Sequence, residues 1–312
     1  MLSKAFGEIT CDGTVPVDGG QMNNPNVPVR LKLENVLLAT DFSDSARAAV
    51  GYAATIAIHY GGKVYVTHVV LPEAYLFAPP GTIPEVEEGL KRWTEQQMKA
   101  LLTSQLLHAV PHEGLLKYGE IWGALAEVVE QQHIHLIVAG TRGRRGLKKL
   151  IMGSVAEEIF RLSTVPVLTV RPDAAQTSPH QFRTLLYPTD FSAASIGALP
   201  YALSFGQEFQ SRVIFLHVAP SSISEGRSRM TESFIEQFRQ IIPPETSAWC
   251  DQKSLVEFGD PAEVILEVAN EQKVDLIVMG VRGAGSLTRA STHIGSVVSD
   301  ARAPVMSVRQ IS

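Results

Sequence analysis

Apolar positions along this chain follow two alternating rhythms. Short β-branched runs (NVLLAT, KVYVTHVV, LIVAG, PVLTV) are interleaved with longer stretches in which apolar residues recur every third or fourth position. The helical stretches run from Ser43 to Tyr60, near 86–108, and over 121–132 and 153–163, with EGLLKY as a further strand. Ala46, Ala49, Val50, Ala53 and Ala57 share one face of the first helix, and Ser43 stands where an N-cap belongs. Strand and helix in succession predict a parallel sheet covered on both faces, and the near-continuous apolar runs LIVAG and LLYPT suit strands buried on both sides.

The pattern is written twice. LLATDFSDSARAAVGYAATIA at 37–57 returns as LLYPTDFSAASIGALPYALSF at 185–205, where Ile196, Leu199, Ala202 and Leu203 are expected to repeat the buried helical face. LKYGEIWGALAEVVEQQHIHLIVAGTRG returns as LVEFGDPAEVILEVANEQKVDLIVMGVRG, and STVPVLTVR as DARAPVMSVR. Two copies of about 140 residues are each domain-sized. The expected organisation is a loosely packed arm over 1–30, a domain over 31–172, a linker over 173–181 and a second domain over 182–312.

Composition narrows the function class. The 312 residues are 45% hydrophobic and 19% charged, with a formal charge of -5, which argues against a general nucleic-acid binder. Cys11 and Cys250 lie far apart, with neither zinc-ligand nor disulfide-framework spacing, as expected in a reducing cytoplasm. No signal-peptide core or membrane-length apolar run is apparent, so a cytoplasmic protein without a membrane partner is the expectation.

Candidate chemistry lies after the strands, because open parallel sheets bind ligands beyond their carboxyl ends. Thr40 and Asp41 follow the first strand, and an acidic acceptor there suits a ribose hydroxyl or adenine amino group. Gly140, Thr141, Arg142 and Gly143 follow the fourth. Glycine there would let backbone N–H groups approach phosphate oxygens, and a helix starting at Gly153 and Ser154 adds unpaired donors and positive dipole. Arg142, Arg144, Arg145, Lys148 and Lys149 surround the same turn and can pair with a triphosphate.

Gly140, two residues, Gly143, nine residues, then Gly153-Ser154 resembles the nucleotide-binding branch of the universal stress protein family. TDFS after the first strand and THVV at the end of the second resemble it too, and the likeness spans nearly all of 33–309. The resemblance implies tandem Rossmann-like domains of the adenine nucleotide alpha hydrolase type, each a five-stranded parallel sheet in the order 3-2-1-4-5 with helices on both faces. It also implies ATP, or ADP or AMP, between strands one and four, Mg possible with the nucleotide, and pairing of two domains through their last strands. An internal pseudo-dimer follows, with a homodimer possible and the protein partner unspecified. Carried over by residue, adenosine contacts fall on Thr40, Asp41 and Val69, and phosphate contacts on Gly140, Arg142, Gly143, Gly153 and Ser154. Ala39, where relatives often have proline, and Arg142, where histidine is common, depart from the pattern.

The second copy offers Thr189, Asp190, Val218, Gly280 and Gly283 at matching places. Its visible Gly295-Ser296 sits too close to the last strand, since an offset of 138 from Pro166 to Pro304 aligns Ala156, Ile159, Phe160 and Ser163 with Ile294, Val297, Val298 and Ala301. That register puts Ser291-Thr292 at the Gly-Ser position and Gly295-Ser296 inside a helix, so weak, altered or no nucleotide binding is expected of this copy. His293 at the same turn could touch a ligand or cap the helix. An adenylyl-transferring or slowly hydrolysing enzyme and a ligand-free adaptor remain as alternatives, with no catalytic residue apparent.

Other signals carry less. His68 and His217 recur at the second strand of each copy, one per domain, and suit a backbone partner better than a metal. His108, His112, His133 and His135 lack ligand spacing and read as solvated surface. There is no Gly-x-Ser-x-Gly elbow or Walker loop.

Overall fold

A computed structural model describes residues 31–71, 82–141, 153–172, 174, 181–222, 226–281 and 289–309. The chain separates into two compact units, one of Lys32–Gln181 with Val281–Ser312, the other containing Phe182–Gly280.

The first unit carries β1 (Asn35–Ala39), α1 (Asp44–His59), β2 (Lys63–Val70), α2 (Ile83–Leu102), β3 (His112–Tyr118), α3 (Ile121–Gln131), β4 (Leu136–Gly140), α4 (Ser154–Leu162) and β5 (Val167–Val170). Its strands run parallel in the order β3-β2-β1-β4-β5. The alanine stripe of α1 explains how closely that helix approaches the sheet. Ala49, Ala53 and Ala57 are fully buried, and Ser43 Oγ accepts the Ala46 N–H at 3.3 Å as the expected cap.

The second unit carries β6 (Thr184–Pro188), α5 (Ala193–Glu208), β7 (Arg212–Ala219), α6 (Arg227–Ile241), a short 3-10 turn (Pro244–Ala248), β8 (Gln252–Phe258), α7 (Pro261–Glu271) and β9 (Leu276–Val281). These strands are parallel in the order β9-β6-β7-β8. One expectation fails here. Ile196 is 39% exposed, while Ser195, one residue earlier, is buried. Aligning Asp190 with Asp41 puts Ser195, not Ile196, at the place of Ala46. A serine is accepted there because its Oγ donates to the Ser192 carbonyl at 3.0 Å and accepts from Thr189 Oγ1 at 2.9 Å.

The last elements, α8 (Arg289–Asp300) and β10 (Val305–Arg309), belong to the first unit. There β10 runs antiparallel beside β5, pairing Val305 with Thr169, Met306 with Leu168 and Ser307 with Val167. The contact is self-complementary. Thr169 Oγ1 donates to Val305 O at 3.1 Å, and Ser307 Oγ to Val167 O at 3.2 Å. Arg171 donates to the carbonyls of Ser299 and Asp300 that end α8, and Arg309 to those of Phe160 and Arg161 near the end of α4. Thr169 with Ser307 and Arg171 with Arg309 are related by the same offset of 138, so each half contributes the group that the other receives, as in an isologous contact. Cations at helix C-termini also meet the negative end of the helix dipole.

The helical face anticipated across the two copies is present in both. Ala156, Ile159 and Ser163 are buried, as are Val297, Val298 and Ala301. Gly295 and Ser296 lie inside α8.

Candidate functional site

The turn after β1 is built from its own side chains. Thr40 Oγ1 accepts the Phe42 N–H and Asp41 Oδ1 the Ser43 N–H, both at 3.0 Å, and Ser43 in turn caps α1. This succession forces Phe42 to a φ of 62°, a left-handed value uncommon outside glycine. Aromatic packing offsets that strain, since the Phe42 ring lies 4.6 Å from His68 and 5.8 Å, edge-on, from Trp93 of α2. His68 Nδ1 is 2.7 Å from the Thr40 carbonyl, so the histidine holds the end of the first strand by a backbone group, as its place in the sequence suggests. Thr40 is therefore buried and Asp41 half-buried at the carboxyl end of β1.

The second copy repeats this turn. Phe191 and Ser192 donate to Thr189 Oγ1 and Asp190 Oδ1 at 2.9 and 3.0 Å, Phe191 has φ 56°, and His217 Nδ1 is 2.9 Å from the Thr189 carbonyl. Burial works to raise the Asp190 carboxyl, but hydrogen bonds from Ser192 and Ser195 outweigh it and leave the group below its ordinary range. Burial lowers His217, against the opposing pull of the Thr189 carbonyl and Asp190. A neutral imidazole donating from Nδ1 to that carbonyl fits both.

Gly140 has a reason to be glycine that the sequence did not reveal. A Cβ there would lie 2.6 Å from the Ser45 carbonyl carbon and 2.8 Å from the Ala46 nitrogen, inside the first turn of α1. Gly280 meets the backbone of Ala194 and Ser195 in α5 in the same way. Both glycines let a helix N-terminus lie against the fourth strand. On the opposite face, Ile137 and Ala139 pack with Leu37, Leu125, Val128 and Ile159, and Ala39 and Val69 pack against that cluster. Val69 is thus half-buried on the face that carries α3 and α4, and Val218 is half-buried at the corresponding point of β7.

Beyond Gly140 the strand continues for one bond. Thr141 N–H donates to Val170 O, and Gly153 N–H donates to Thr141 O, both at 2.8 Å. The second bond anchors the start of α4 to the end of β4. Gly153 is the N-cap of α4, with extended backbone and no side-chain cap bond, and Ser154 is the first helical residue. Arg142, Gly143, Arg144, Arg145, Lys148 and Lys149 lie outside the described residues.

Of the expected site, the fold brings Thr40, Asp41, Val69, Gly140 and Gly153 to the carboxyl ends of β1, β2 and β4. In the second copy, Thr189, Asp190, Val218 and Gly280 belong to the Phe182–Gly280 unit, and Gly283 lies outside the described residues. Ser291 and Thr292 sit within the first turn of α8, which already begins at Arg289. The side chain of His293 is not among those described. His112 and His135 are not merely solvated, since His112 Nδ1 is 2.8 Å from the Val110 carbonyl and His135 Nδ1 accepts the Asn35 N–H at 3.2 Å. No group of metal-ligating side chains and no helix long and apolar enough to cross a membrane occurs among the described residues.

A doubled parallel α/β unit with a glycine-opened fourth strand and a helix N-terminus at its end defines the class. The model of the universal stress protein family matches residues 32–171 and 181–309, and the chain belongs to that family. A Thermus aquaticus universal stress protein, found in the 3′ region of a QAH/OAS sulfhydrylase, is 32% identical over 139 residues, 44% of this chain and 98% of its own length. One from Mycolicibacterium smegmatis spans both copies, at 25% identity over 88% of this chain and 96% of its own. The crystal structure of an Archaeoglobus fulgidus universal stress protein shares the fold, with a TM-score of 0.66 at 21% identity over 89% of this chain and 99% of that one.

Proposed function

We propose that the first copy binds ATP or another adenine nucleotide such as ADP or AMP, and that the protein acts in stress response as a cytoplasmic, nucleotide-dependent regulatory or interaction protein. The observation that carries this reading is the bond from Gly153 N–H to the Thr141 carbonyl, which fixes at the end of β4 an α4 N-terminus that has no side-chain cap from its N-cap residue, Gly153. Backbone donors and helix dipole at such a terminus favour a phosphate, which is also the natural partner of the Arg142 guanidinium. Thr40, Asp41 and Val69 would hold the adenosine, and Gly140, Gly143 and Ser154 the phosphates, with Mg accompanying them. No side chain here is assigned a catalytic role.

The second copy is the weaker binder in this reading. Thr189 and Asp190 are retained, but Ser291 and Thr292 replace Gly-Ser and fall inside the helix. Titration of ATP into the purified full chain by calorimetry tests the proposal, together with mass spectrometry of any nucleotide released on denaturation. The expected result is about one tight site per chain, lost in Gly153→Leu. Absence of both retained nucleotide and ATP binding would overturn it, and two equivalent tight sites would overturn the asymmetry.

A further inference from the structure

Thr141 is backbone-bonded on both sides, but its hydroxyl is not. The residue is 3% exposed, and Oγ1 has no hydrogen-bond partner among the described residues. A buried hydroxyl without a partner is costly, and valine has nearly the same shape without that cost. The second copy has valine there: Val281 follows Gly280 as Thr141 follows Gly140, and it is equally buried.

Strand alternation gives the direction of the side chain. Gly140 faces α1, whereas Ile137 and Ala139 face Ile159 of α4. Thr141 extends the ladder through its bond to Val170, so its side chain continues the α4 face. Its carbonyl receives the N–H of the α4 N-cap. Thr94, Ser104 and Thr246 also have unpartnered hydroxyls, but on the middle of α2, in the turn after it and in the 3-10 turn. Among the described residues, Thr141 combines an orphan hydroxyl with the adjoining N-terminus of a nine-residue helix whose N-cap, Gly153, supplies no side-chain cap.

We infer that the Thr141 hydroxyl is a ligand contact, donating to a phosphate oxygen of the nucleotide at the N-terminus of α4, and that Thr141 against Val281 is one residue pair by which the two copies differ in affinity. The inference rests on the nucleotide reading above. Loss of a hydrogen bond to a charged oxygen weakens binding by about 10-fold to 100-fold.

The test uses the full chain as wild type, Thr141→Val and Thr141→Ser, with ATP affinity from calorimetry and melting temperature without nucleotide. Thr141→Val is expected to lose about 10-fold to 100-fold in affinity while melting no lower than wild type, and Thr141→Ser to stay within about 3-fold of it. Unchanged ATP affinity in Thr141→Val, with wild type binding, overturns this inference alone. A lower melting temperature for ligand-free Thr141→Val also overturns it, because the hydroxyl then has a protein partner. Failure of the wild type to bind ATP overturns the nucleotide reading and this contact together.

Discussion

Replacing Gly140 by alanine separates two explanations of one residue. As a phosphate-approach glycine it would matter only when nucleotide is present. As a packing glycine it matters to the ligand-free fold, because the added Cβ would lie 2.6 Å from the Ser45 carbonyl carbon, 2.7 Å from its Oγ and 2.8 Å from the Ala46 nitrogen. Two of these are backbone atoms of a helix held close to the sheet by the buried stripe of Ala49 and Ala53, so rotation of a side chain cannot relieve the contact. Restoring ordinary separation moves α1 away from β4 by about 1 Å and loosens the alanine stripe, an overpacking cost of about 1–3 kcal/mol. In a domain of this size that lowers the melting temperature by about 2–12 °C. Urea unfolding without nucleotide, followed by the fluorescence of Trp93 and Trp122 in the same unit, measures it directly. Gly197→Ala is the control, since that helical glycine of α5 has open space around it and the substitution should stabilise by about 0.5–1 kcal/mol. Wild-type stability in Gly140→Ala, with ATP binding alone impaired, would refute the packing account.

Arg309→Gln removes two hydrogen bonds to the end of α4, and Arg171→Gln the matching pair at α8; each is expected to cost about 1–2 kcal/mol in denaturant unfolding. Because they hold different helices, the double variant should be additive within about 0.5 kcal/mol, and no shift in either single variant would dismiss the clamps. For His217, the folded pKa lies below the ordinary 6.5, so the folded state resists protonation. Stability is complete above about 6.5 and falls as the unfolded chain takes up the proton on acidification. His217→Gln should flatten the loss between about pH 7 and 5.5, and an unchanged slope would count against burial of a neutral imidazole.

Much of this protein is decided over short stretches of chain. The period of the apolar residues, the serine caps of α1 and α5, and the self-bonded TDFS turns depend on neighbours within a few positions, so they could be read directly. Duplication was equally legible, and the offset of 138 that moved Gly295-Ser296 into a helix also relates Thr169 to Ser307 and Arg171 to Arg309. What those four residues do was not legible, because their partners are carbonyls more than a hundred positions away. The same limit hid the packing role of Gly140, since a missing Cβ has meaning only against the helix that would collide with it. It hid the exchange of Ile196 for Ser195 as well, where a buried hydroxyl is made acceptable by Thr189. Thr141 shows the division most plainly: its identity and its contrast with Val281 stand in the sequence, but only the fold surrounds its hydroxyl, bonds its backbone on both sides and sets the start of α4 beside it.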